Sequence, residues 1–190
     1  RHPAATDWQA VRDAVAAGDP HAALDPQTPP AAALSQSLEA DLGPVFAELW
    51  SAVDRPHSVI VPTWLETVKA GQNAAVGAHW LTNLRALAMT LYLRASLDCA
   101  GSMQARGLES ARVLLRLADG ADRYGGAVAG LVGASLRSLV HNLAWSCAAR
   151  RLLTRDEWIK LATLFANEQP LDRLRPALHV EILYSQWAMA

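Results

Sequence analysis

The sequence predicts an all-α protein, a set of antiparallel helical hairpins forming a bundle or short α-solenoid, and three observations carry that prediction. Of the 190 residues, 52% are hydrophobic; alanine, leucine and arginine dominate, while the β-favouring isoleucine, threonine, tyrosine and phenylalanine are sparse. Apolar residues recur three and four positions apart over most of the chain, the spacing of one helix face. The stretches between those runs are short, which makes successive helices antiparallel neighbours.

The first periodic run places Trp8, Val11 and Val15 on one face, with Thr6 or Asp7 as N-cap and Gly18-Asp19-Pro20 as its stop. Asp25-Pro26-Gln-Thr-Pro29-Pro30 follows and predicts an extended connector, because proline lacks an N–H and restricts the residue before it. Leu34, Leu38 and Leu42 mark a short helix, and Val45, Phe46, Leu49, Trp50 and Val53 mark the next, opened by Pro44 in its first turn. The β-branched run Ser58 to Pro62 is too short and solitary to need a sheet. Thr63 to Glu66 has the capping-box spacing, opening a helix that stops near Ala70-Gly71.

The body begins with a long helix from about Val76 to Arg106, burying Trp80, Leu84, Leu87, Leu91, Ala95 and Ser102 and broken by Gly107. The next, Leu108 to Tyr124, turns Ala111, Leu114, Leu115 and Ala118 inward and ends at Gly125-Gly126. A third, from Ala127 to Arg151, turns Leu131, Leu136, Leu139, Val140, Leu143 and Cys147 inward. Thr154 to Glu157 is a second capping box, opening a helix to Asn167 that carries Ile159, Leu161, Leu164 and Phe165. After Pro170 a last helix from Leu174 to Ala188 carries Leu178, Ile182, Leu183 and Trp187. This divides the chain into an acidic, proline-rich segment with short helices, 1–42, and a helical-hairpin domain, 43–190.

Charge is close to balanced, 17 basic against 18 acidic residues, but it is unevenly spread. Residues 1–54 hold eight carboxylates against Arg1 and Arg12, and the remainder is net positive. An acidic segment lying against a basic body is one reading; two ordinary solvated faces is the preferred one. The positive charge of the body is too dilute to track phosphates, so nucleic acid is not an expected partner. Arginine outnumbers lysine 15 to 2, a bias that a GC-rich coding genome explains and that carries no functional weight. The start at Arg1 fits a removed signal peptide, a removed membrane anchor or the edge of an expressed fragment. No segment is apolar enough to span a bilayer: the most apolar window, Ala127 to Ala149, is interrupted by Arg137 and His141. Cys99 and Cys147 are the only cysteines; buried free thiols are the default, and a disulfide needs their helices side by side.

From Asn83 to Asp122 a long helix containing Leu84, Arg85, Ala88 and Arg94-Ala95 is followed by Gly107, Ala111 and Leu114-Leu115-Arg116-Leu117-Ala118. This stretch resembles a tetratricopeptide-type helical hairpin, in which small residues let two helices approach and a glycine turns the chain. It also resembles hairpins of exported bacterial helical proteins. The family's Trp/Leu/Gly/Tyr offsets and 34-residue period are absent. The resemblance implies a stacked-hairpin scaffold that binds another protein, and it transfers no site residues.

Few residues invite a chemical reading. His141, Asn142 and Trp145 lie within a turn, but without a second ligand at helical spacing a core histidine is the simpler reading. Arg94 and Asp98 form an i, i+4 pair near an apolar face, a hairpin lock before it is a substrate clamp. Gly125, Gly126, Gly130 and Gly133 lack the strand and lysine of a phosphate loop and indicate close helix packing. Seven tryptophans serve mainly as core anchors, with Trp8 and Trp64, beside chain punctuation, the candidate partner-interface residues. Metalloprotease, CxxC, nucleophile-elbow, Walker and EF-hand patterns are all missing, so no catalytic, cofactor or metal site is expected. The expectation is therefore a non-enzymatic interaction scaffold or accessory subunit of a larger assembly, periplasmic or envelope-associated, whose partner is another protein or a second copy of itself. The alternative is a sensor or carrier with an apolar cavity lined by Trp80, Leu139 and Trp145. An enzyme using Asp98, His141 or Glu157 ranks last.

Overall fold

The computed structural model describes residues 29–55, 76–101, 103–124 and 127–166. The helices expected at 7–17, 63–70 and 174–188, the connector at 25–28, the run 58–62, and both Trp8 and Trp64 lie outside the described residues. Those residues hold five helices and no strand: α1 Pro29–Ala52, α2 Val76–Ala100, α3 Gln104–Tyr124, α4 Ala127–Ala149 and α5 Arg155–Phe165. They form a helical bundle in which α2, α3 and α4 pack on one another, with α1 against α2 and α3 and α5 against α3.

Two expected helices are one. α1 runs through Pro44 without interruption, so the division placed after Leu42 falls inside a helix. Proline normally clashes with the Cβ of the residue before it, and here that residue is Gly43, which has none. The backbone bond that Pro44 cannot make is offset by burial on both sides of it: Leu38 and Phe46 are sealed in the core. Pro29 and Pro30, expected in an extended connector, open the helix instead, where a missing N–H costs nothing.

The break between α2 and α3 also differs from expectation. It falls at Gly101 and Met103, where Gly101 N–H donates to Leu97 O at 2.9 Å and Met103 N–H to Asp98 O at 3.2 Å. Gly107 lies inside α3, and its missing side chain serves packing: a Cβ there would collide with Cys99 Sγ and stand 3.1 Å from Ala95 O. Among the described residues the main core cluster runs through all five helices and includes Leu84, Leu91, Leu114, Leu136, Val140, Leu143 and Leu161, with Leu81, Tyr124 and Ala129 in a smaller one beside it. Leu131, expected inward, is 66% exposed, because it projects opposite Val140 on α4.

α4 ends with Leu152 N–H donating to Cys147 O at 3.0 Å, which puts Arg151 in the left-handed region at φ 54°. A Cβ is unfavourable there and glycine is the residue this cap position prefers. Arg151→Gly is expected to raise stability by about 0.5–1 kcal/mol, read as a higher urea midpoint at unchanged slope. The predicted box at Thr154 is present: Glu157 N–H donates to Thr154 Oγ1 at 3.4 Å and Thr154 N–H to Glu157 Oε2 at 2.8 Å. The Thr154 N–H and the Thr154 hydroxyl, each 2.8 Å from Glu157 Oε2, hold the Glu157 carboxyl below the usual carboxylate range.

Candidate functional site

The Arg94–Asp98 pair is the core of a four-residue ion cluster that joins three helices. Both side chains are 3% exposed, with Arg94 Nε 3.0 Å from Asp98 Oδ2. Arg94 Nη2 also lies 2.7 Å from Glu39 Oε2 of α1, which Arg106 Nη2 of α3 approaches at 2.8 Å. Arg106 in turn rests on the Trp50 ring at 4.9 Å from its centroid, and Trp50 Nε1–H donates to Ser110 Oγ at 3.2 Å. The arginine beside it holds the Glu39 carboxyl below its ordinary value; burial pushes the Asp98 carboxyl up. Two guanidiniums facing two carboxylates balance in charge, and each carboxylate is already engaged, so the cluster clamps helices and offers no spare acid or base.

The same pattern repeats just past the end of α1. Asp54 pairs with Arg112 of α3, which also holds Glu109 at 2.9 Å, and Arg116 Nε–H donates to Val53 O at 3.1 Å. Glu39 and Asp54, two of the eight carboxylates in residues 1–54, therefore meet arginines of the body. Between α3 and α4, the buried Arg137 bridges Asp119 at 2.9 Å and Asp122 at 2.6 Å.

The other residues singled out by sequence are dispersed. His141 is at the surface of α4, stacked on Phe165 of α5 with centroids 4.6 Å apart; its Nδ1 lies 2.9 Å from Arg137 O, and a carbonyl only accepts, so Nδ1 carries the proton. It is neither a core histidine nor sheltered by Trp145, which is 77% exposed. Trp145 is accordingly no wall of an interior cavity, and Trp80 packs edge-on against Tyr124 with centroids 5.0 Å apart. Asp98, His141 and Glu157 are each committed to different contacts. Gly133 is a point of close approach: a Cβ there would collide with the Asp122 carboxylate and stand 3.1 Å from Ala118 O. Among the described residues no three His, Cys, Asp or Glu are grouped to hold a metal ion, and no helix is long and apolar enough to cross a membrane.

One surface was missed by sequence reasoning. Val128, Leu131, Ser135, Ser138, Asn142 and Trp145 succeed one another by three and four along α4, and all are exposed. Val128 is 65% exposed and Ile159 of α5 is 55% exposed. The single Asp, Glu, Lys or Arg of α4 is Arg137, which is turned inward, so the outward face has no formal charge along its length. The available signal was the angular position of Leu131: nine residues from Val140 is half a turn away.

No protein-family model, curated protein or solved structure matches the chain.

Proposed function

We propose that this chain is a non-enzymatic interaction module that presents the outward face of α4 to another polypeptide. The observation that carries the reading is that uncharged stripe, with Val128 and Leu131 near one end and Trp145 at the other. Leu131 and Trp145 are fourteen residues apart, about 21 Å along a helix, which suits a partner helix offering apolar side chains over four turns. Tryptophan and leucine held out to water gain most from being covered, and small serines between them let a partner approach closely. The rigid bundle behind α4, fixed by Arg137 and by the α1 clamp, supports a scaffold role because little ordering is required on binding. The accessory role in a larger, envelope-associated assembly belongs to the same proposal and rests on the helical-hairpin resemblance.

A photo-crosslinking residue placed at 131 or 145 in living cells tests this. Capture of a discrete polypeptide from both positions, and not from the exposed position 123 on α3, is the expected result; equal labelling at all three sinks the reading. With the crosslinker at 131, Trp145→Ala should abolish capture while changing unfolding free energy by less than about 0.5 kcal/mol, since the removed side chain is already in water.

A further inference from the structure

Resting on that reading of α4, we propose that the occupant of its outward face is the same face of a second copy, laid antiparallel about a two-fold axis between Ser135 and Ser138. Val128, Leu131, Ser135, Ser138, Asn142 and Trp145 stand three and four residues apart in strict alternation. That is the seam of a two-helix coiled coil, carried for nearly three heptads over about 25 Å. A two-fold axis at its middle gives each position a counterpart on the other copy. Ser135 comes opposite Ser138, so the smallest side chains meet where the helices approach. Trp145, 77% exposed, comes opposite Val128, 65% exposed, and beside Leu131, 66% exposed. Large thus faces small at both ends of the seam, and one pattern supplies both knobs and holes.

Charge selects a second copy and also its direction. A charged group near the axis of a face that meets itself is brought against its own like, and this face has none. Arg137, the one charged residue of α4, is 5% exposed and turned inward to Asp119 and Asp122. The polar groups that remain, serine hydroxyls and the Asn142 amide, both donate and accept, so they can pair with copies of themselves. Formal charge begins where the seam ends, at the exposed Arg150 and Arg151, the latter placed at the helix end by its N–H donating to Ala148 O at 3.1 Å. Parallel pairing would set these arginines beside their own copies. Antiparallel pairing holds them about 40 Å apart, several screening lengths. Two helices meeting along one seam make a small interface, so the dimer forms at micromolar rather than nanomolar concentration.

The purified full chain is followed by sedimentation velocity from about 1 to 200 μM, where the apparent mass should climb from that of one chain toward that of two. Ser138→Glu and Ser138→Arg each place like charges across the axis, and each alone should stay at the mass of one chain with an unchanged circular dichroism spectrum. Mixed in equal amounts, the two variants should regain the mass of two chains, a rescue that requires the face to meet itself. A photo-crosslinker at 145, in a chain mixed with an isotope-labelled copy, should capture the labelled tryptic peptide 124–137, which holds Val128 and Leu131. The mass of one chain throughout, no recovery on mixing, or capture of the labelled peptide 138–150 would each overturn the proposal. If cells instead yield a different polypeptide crosslinked at 131 and 145, the second copy is wrong and the α4 reading stands; if they yield none, both are wrong.

Discussion

Arg94→Met is expected to cost about 3–5 kcal/mol of unfolding free energy near neutral pH, a fall of about 2 M in urea midpoint. The methionine fills most of the space, so the loss is electrostatic. Asp98, 3% exposed, loses the guanidinium at 3.0 Å that compensates it, while Arg106 Nε stands off at 4.0 Å. Glu39 keeps Arg106 at 2.8 Å, so α1 retains one of its anchors. The deficit should depend on pH in a defined direction. Burial raises the Asp98 carboxyl, and Arg94 opposes that rise, so the variant raises it further. A raised carboxyl makes the folded state hold the proton over the window between its folded value and the ordinary 3.8, and stability falls as pH rises through that window. The gap between variant and parent should accordingly be widest near neutral pH and narrow on acidification. Glu39 runs the other way, its contribution being present above 4.5 and lost as pH falls through its lowered value, but it does so in both proteins. Arg94→Met combined with Asp98→Asn should recover a large part of the loss, since no buried charge is then left alone. A gap of constant size across pH, or no recovery in the double variant, would remove the ion cluster from the account of how α1 is held.

The places where sequence and structure agree and differ follow from which forces are local. Periodicity located α2 to α5 because burial on one face is written into the positions themselves, and the Thr154–Glu157 box was legible because its two bonds span three residues. Pro44 and Gly107 misled because their effects are settled by distant groups: Phe46 in the core makes a proline tolerable inside α1, and Cys99 explains a glycine inside α3. Asp54 and Glu39 belong to a charge division visible in the sequence, but which arginines they meet depends on how α1 crosses α2 and α3. The α4 face was assigned wrongly at Leu131 because the one formally charged residue of α4, Arg137, is turned inward while Val128, Leu131 and Trp145 stand outward among serines, so polarity there hardly distinguishes inside from outside.

Gly133→Ala should destabilise the protein by about 1–3 kcal/mol, against the gain of about 1 kcal/mol that the same change gives in an isolated helix. A methyl group at 133 would collide with the Asp122 carboxylate and stand 3.1 Å from the Ala118 carbonyl. The carboxylate can swing aside only by leaving Arg137, which it holds at 2.6 Å; the carbonyl belongs to the α3 backbone and cannot move without the helix. α4 must therefore shift outward from α3, loosening Leu136 and Val140 in the core. Chemical denaturation checks the sign, and the combination with Asp122→Ala checks the cause. Part of the penalty should disappear in that background, because the carboxylate is gone, and part should persist, because the carbonyl remains. If alanine at 133 stabilised the protein as helix propensity alone demands, the close approach of α3 and α4 would be wrong. The same contact fixes how far α4 stands from the bundle, so this substitution should also weaken crosslinking from position 145, some three turns away along the helix. Trp145→Ala removes an anchor and spares the fold; Gly133→Ala keeps the anchor and displaces the surface that carries it.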